Sequence, residues 1–140
     1  MKRAILAVLV LAFSALTLHA KSGNIDGTWL PMTAVLGGQP FPDEVRKSIK
    51  LVVTGWEYTL TVGPAVDKGS LKLNFTTKPK QMDIIGSEGP NKGKRIPAIY
   101  ERKGDTLRIC YDLSGTAYPT TFESVEGTQL YLVTYERQKP

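Results

Sequence analysis

An all-β fold, an antiparallel barrel of about eight strands with one short helix after the first strand, is predicted by three features of the sequence. Residues 51–75 alternate apolar and polar side chains in three short runs separated by glycine-bearing turns, the period of half-buried strands. Five further runs of strand type follow or precede it, with no long amphipathic helix to cover an open sheet. The last run, residues 129–137, is apolar on both faces through Leu130, Tyr131, Leu132, Val133 and Tyr135, which suits a strand at the closure of a barrel. Strands without a helical layer bury their apolar faces best by curling closed around side chains or one small ligand.

Asp26-Gly27-Thr28-Trp29 opens the first strand, which runs through Leu30, Met32, Ala34 and Leu36 to a turn at Gly37-Gly38. Pro31 lacks an amide hydrogen and so predicts an edge or a bulge. Residues 41–49 read as one or two helical turns, acids first and bases last, with Val45 and Ile49 on one face: a plug or lid. In the central meander Trp56, Tyr58, Leu60 and Val62 share a face. Gly63-Pro64 and Asp67-Lys68-Gly69 read as turns, after which Leu71, Leu73 and Phe75 resume the alternation.

Lys78-Pro79-Lys80 breaks the chain before a fifth strand, 81–85, with Met82 and Ile84 facing one way. Residues 86–94 read as a solvated hairpin loop; Glu88 and Arg95 stand where a phosphate-binding loop needs glycine and Ser or Thr. Residues 95–102 and 106–112 form a hairpin about Lys103-Gly104-Asp105, with Ile96, Ala98 and Tyr100 in one stripe and Leu107, Ile109 and Tyr111 in the other. Residues 113–128 read as a loop around Tyr118-Pro119, anchored by Phe122.

Met1-Lys2-Arg3, the apolar run 4–18 and Ala20 before Lys21-Ser22-Gly23 have the three zones of a secretory signal peptide. Cleavage after Ala20 is expected, leaving 21–140 as one domain outside the cytoplasm, periplasmic or secreted. The apolar run is shorter than the roughly 20 residues a bilayer-spanning helix needs, so no stable membrane span is expected after cleavage. Removing residues 1–20 takes away Lys2 and Arg3 and no acid, so the net charge falls from +5 to +3. That balance and export disfavour nucleic acid as a partner.

The only histidine, His19, leaves with the signal segment, so no imidazole remains for a Ser-His or Cys-His pair or a His-bearing zinc site. Cys110 is alone, which rules out an internal disulfide; beside Arg108 and Asp112 it reads as a packed structural residue, not a nucleophile. No cofactor, metal or catalytic constellation is expected, and the domain is expected to be monomeric.

The succession Asp26-Gly27-Thr28-Trp29, Pro42-Asp43-Glu44, Lys78-Pro79-Lys80, Gly89-Pro90-Asn91-Lys92-Gly93-Lys94, Gly104-Asp105-Thr106-Leu107, Ile109-Cys110-Tyr111 and 119–122 resembles a family of uncharacterised small domains common in planctomycete bacteria. Tyr118 stands where that family carries arginine. The resemblance spans nearly the whole of 21–140 and implies a single extracytoplasmic domain, with no established activity. Gly27-x-Trp29 at the head of a small barrel is also similar to lipocalins, and Gly27-Thr28-Trp29 before a helical insert is similar to fatty-acid-binding proteins. In the latter an Arg-x-Tyr holds the ligand carboxylate, and Val133 stands two residues before Tyr135 here. The lipocalin likeness implies that Trp29 lies at the closed end of the barrel, with Arg137, or its rival Arg102, across the indole.

Three functions compete. The first is a non-enzymatic lipocalin-like binding protein for a small apolar or amphipathic ligand, lined by Trp56, Tyr58, Tyr100 and Tyr111; the same aromatics would otherwise simply fill the core. The second is an envelope interaction or inhibitor module that meets an anionic partner through Lys78, Lys80, Lys92, Lys94 and Lys103. The third is an enzyme working through Asp83, Glu88, Glu101 or Glu123, although nothing in their spacing pairs them. Far-ultraviolet circular dichroism of residues 21–140 is expected to be dominated by strand; a helix content above about a third would overturn the barrel.

Overall fold

The first strand carries both ends of the sheet. In the computed structural model, which describes residues 25–140, β1 (Gly27–Leu36) is followed by a two-residue arm β2 (Gln39–Pro40), a helix α1 (Asp43–Lys47), β3 (Ile49–Thr54) and β4 (Glu57–Val62). Then come β5 (Ala65–Asn74), β6 (Lys80–Glu88), β7 (Arg95–Lys103), β8 (Thr106–Asp112) and β9 (Leu130–Arg137). Strands β3 to β9 pair antiparallel in sequence, and β1 pairs with β3 on one side and β9 on the other. Eight strands therefore close, with β2 a spur on the end of β1. The signal segment with His19 and Ala20 lies outside the described residues. Among those described, no helix is long and apolar enough to cross a membrane.

Side chains sort by strand period. Ile49, Leu51 and Val53 of β3, Met82 and Ile84 of β6, Ile96, Ala98 and Tyr100 of β7, and Leu107 and Ile109 of β8 are buried in the core. On β1 the inward set is Trp29, Pro31 and then Ala34. The register against β9 shifts between Pro31 and Thr33, and that bulge moves the inward parity from odd to even. Pro31 sits at the irregularity, where its missing amide costs no ladder bond.

Only Gly27, Thr28 and Trp29 of β1 reach β3, opposite Val53, Val52 and Leu51. The rest of that edge is covered by the segment that follows. Val35 and Leu36 pair with Pro40 and Gln39, the Phe41 amide donates to the Ala34 carbonyl (2.9 Å), and Arg46 Nη1 donates to the Pro31 carbonyl (3.1 Å). The helix buries none of its residues. Val45 is exposed, and Ile49 is buried instead as the first residue of β3. The helix ends before an apolar face can form, so α1 acts as a strap across the β1 edge.

Antiparallel alternation gives the barrel two ends. The β3–β4, β5–β6 and β7–β8 turns form a floor with the start of β1 and the end of β9; α1, the β4–β5 turn and the β6–β7 and β8–β9 loops surround a mouth. At the floor Trp29 is fully buried and its Nε1 donates to the Ile25 carbonyl (2.8 Å). Arg137, its partner across the ladder, lays its guanidinium carbon 4.7 Å from the ring centroid. Gly27 has φ 139°, a region other residues rarely adopt, and the Arg137 stem packs against it. Arg102 instead donates to the Gly104 carbonyl (3.0 Å).

The 113–129 loop folds back over the outer wall, where Pro97, Ile99 and Cys110 are buried. Phe122 lies under the Arg108 guanidinium at 4.0 Å, and the Glu123 carbonyl accepts from Cys110 Sγ at 3.6 Å. Burial pushes the Cys110 thiol up, the Glu123 bond only partly opposing it. The thiol is therefore a poor nucleophile.

Trp29→Ala is expected to cost about 3–5 kcal/mol in denaturant unfolding, because a large buried aromatic leaves a cavity. Arg137→Ala should cost less, about 0.5–2 kcal/mol, through the lost stacking. The double mutant should fall short of the sum of the two; strict additivity would mean that the pair is not coupled.

Candidate functional site

Asp67, Lys68 and Gly69, which read as a turn, lie within β5, with a register shift against β6 between Lys68 and Gly69. The glycine is there for room. Gly69 faces Tyr58 across the ladder, and a Cβ on it would meet Tyr58 Cε1 at 2.8 Å as well as the Ile85 carbonyl. The Tyr58 ring occupies the space of the absent side chain and carries its hydroxyl to Asp67, two residues along the same inward face.

Asp67 is buried in the barrel wall. Its Oδ2 accepts from the Tyr58 hydroxyl (3.0 Å) and from Asn91 Nδ2 (2.9 Å), and its Oδ1 accepts from the Asn91 amide (3.1 Å). The β6–β7 loop is thus not wholly solvated: residues 86–88 extend β6, and Asn91 turns in over the barrel end.

From β8 and β9, Tyr111 and Tyr135 share a hydroxyl–hydroxyl bond of 2.9 Å. Tyr131 stacks on Tyr111 (centroids 5.4 Å apart), and Phe41, just before α1, stacks on Tyr131 (5.3 Å). These rings run from the interior to the mouth. Between the two polar groups lies a cavity of about 70 Å³, room for about two water molecules at roughly 30 Å³ each and far below a drug-sized pocket. Above it the mouth opens as a cleft of about 1020 Å³. Leu60, Asn91, Ile96, Leu113 and Tyr131 line both.

Burial pushes the Tyr58 hydroxyl up, with the bond to Asp67 and its charge adding to the effect. Burial likewise raises Tyr111, against the bond from Tyr135, and Tyr135, and pushes Tyr131 up to about 12. All four phenols stay neutral near neutral pH. In that form they can donate or accept hydrogen bonds and are not poised to abstract a proton.

Of the aromatics singled out from the sequence, Tyr58 and Tyr111 line the cavity. Trp56 and Tyr100 do not. Trp56 sits in the β3–β4 turn at the floor end, 49% exposed, because β4 begins only at Glu57. Tyr100 points inward near the floor, burial raising its hydroxyl to about 12, and that hydroxyl has no partner among the described residues. Asp67, Asn91, Tyr131 and Tyr135 were not anticipated as site residues.

The carboxylates of the enzyme reading are dispersed. Asp83 is bound to Arg95 (2.7 Å) and Tyr118 (2.7 Å), and Glu101 to Arg108 (2.7 Å) and Lys103 (2.9 Å); the last two bonds hold the Glu101 carboxyl below its usual range. Among the described residues no group of three or more His, Cys, Asp or Glu could hold a metal ion. The five lysines of the surface reading divide, with Lys78, Lys80 and Lys103 at the floor and Lys92 and Lys94 at the mouth.

No family model, curated protein or solved structure matches the chain.

Asp112 ties the mouth to the wall. Burial alone would raise its carboxyl, but the Ser114 hydroxyl and the amides of Ala117, Ser114 and Thr116 outweigh this and hold it below the usual range. A depressed native value adds stability that is present above the ordinary carboxyl range and lost as pH falls through the native value. Asp112→Asn should therefore flatten part of the acid slope of unfolding free energy. An unchanged slope would mean that the carboxylate is not stabilised in the fold.

Proposed function

We propose that the protein is a non-enzymatic, lipocalin-like binding protein of the extracytoplasmic space that holds a small ligand across the mouth of the barrel. The observation that carries this reading is an open cleft lying directly against an inner cavity, the two sharing walls at Leu60, Ile96 and Tyr131. The cavity limits the buried part of the ligand to about two or three non-hydrogen atoms, judged by the roughly 30 Å³ a water molecule occupies. The remainder lies in the mouth against Phe41 and Leu113. The filled lower interior, from Trp29 to Met82 and Leu107, leaves no room for a long acyl chain. The signal-like segment 1–20 supports the setting.

A second reading, action through the surface, draws on Trp56 and Phe75, 49% and 48% exposed on two hairpins of the floor end. Replacing both with Ser leaves the cavity intact and so separates the two readings.

Native mass spectrometry of the protein from its own envelope should show a retained small mass. Leu60→Trp, which fills the neck from a half-buried position, should lose that mass at an unfolding midpoint close to the parent's. Retention by the variant, or no mass on either protein, would overturn the reading.

A further inference from the structure

The chemistry of the cavity is one-sided. Asp67 is the only charged residue that lines it, is 6% exposed, and makes no ion pair among the described residues. A buried charge is costly unless it is paired. Three donors reach Asp67, two on Oδ2 and one on Oδ1. A carboxylate offers about four lone-pair sites, so Oδ1 retains acceptor capacity.

The surrounding walls favour the same sign of guest. Tyr58, Tyr111, Tyr131 and Tyr135 line the space, and aromatic faces attract cations within about 6 Å of the ring centroid. Among the described residues no lysine or arginine lines the cavity. At the rim the Arg95 charge is matched by Asp83 at 2.7 Å, and Lys94 is exposed to solvent, where screening is strong.

We propose that the cavity takes a positively charged amine, the primary or quaternary ammonium end of a small ligand, paired with Asp67 and enclosed by Tyr58, Tyr111, Tyr131 and Tyr135. The proposal rests on the binding reading above and names the chemistry of the end that enters. The cavity admits the tip of an ammonium head, and the methyls of a quaternary group extend into the adjoining cleft that shares its walls. Its positive charge gives Asp67 the partner that the fold does not supply.

The probes are choline, its uncharged isostere 3,3-dimethylbutan-1-ol, and 3,3-dimethylbutanoate, titrated into the wild-type protein by calorimetry and ligand-observed NMR. Choline is expected to bind about tenfold or more tighter than the alcohol, the order of a charged hydrogen-bond or cation–π contribution, and the carboxylate not at all. Asp67→Asn, which keeps the shape and an acceptor oxygen, should erase the preference for choline, read as the ratio of the choline and alcohol affinities on the variant itself. The wild-type comparison stands even where that variant folds poorly. Equal or tighter binding of the alcohol would overturn the ammonium site and leave the binding reading intact. Choline binding that survives Leu60→Trp would place the amine elsewhere and overturn the proposal. No binding by any probe would overturn the ammonium site, while the mass retained in native mass spectrometry decides the binding reading separately.

Discussion

Closure of the sheet on β1 is the constraint on which the other features depend. One strand must satisfy two neighbours, and it reaches β3 with only its first three residues. An unpaired run in the wall would leave backbone groups unsatisfied and invite further strands. The chain meets this locally: a bulge at Pro31 resets the inward face against β9, and the β2 arm with Arg46 covers the carbonyls left on the other side. Trp29 and Arg137 meet at the same seam, where the indole fills the floor and the guanidinium covers it. Helix, bulge and floor are thus parts of one solution.

A barrel closed in this way has a small interior, and polar groups placed inside it must be satisfied by one another. Tyr58, Asp67 and Asn91 do so on one wall, Tyr111 and Tyr135 on the other. Networks of this kind are rigid when complete. They leave between them a preformed gap, so that a guest would enter without the wall reorganising. The loops above are anchored in the same manner, with Asp112 holding the start of the 113–129 loop and Arg95, Asp83 and Tyr118 pinning its middle. The mouth is consequently shaped by polar bonds and the interior by apolar packing.

Outside the barrel, the folded-back loop buries an outer face of β7 and β8 as well as the inner one. Ile99 and Cys110 pair across the ladder on the outer face and are buried under that loop. A thiol so placed is a packing residue. Arg108, two residues before Cys110, turns to Phe122 and Glu101, and burial of the thiol outweighs the lowering effect of its charge.

Period-two alternation, the turn residues and the double-sided last strand determined the all-β class and the antiparallel barrel, and the run of acids then bases in residues 41–49 marked the short helix, since each depends on neighbours in the chain. The bulge at Pro31 was legible for the same reason: a missing amide is a local fact. Asp67-Lys68-Gly69 misled, because a turn-like tripeptide within a strand is distinguished only by the Tyr58 ring and Ile85 carbonyl that need its space. Trp56 and Tyr58 share a parity, yet only Tyr58 faces the cavity, because the strand starts between them. The site itself, Asp67 with Asn91 and the paired tyrosines from β8 and β9, joins residues 24 positions apart in each case. Such meetings follow from register and closure, which are decided by the whole sheet at once, and so only the tertiary structure could place them.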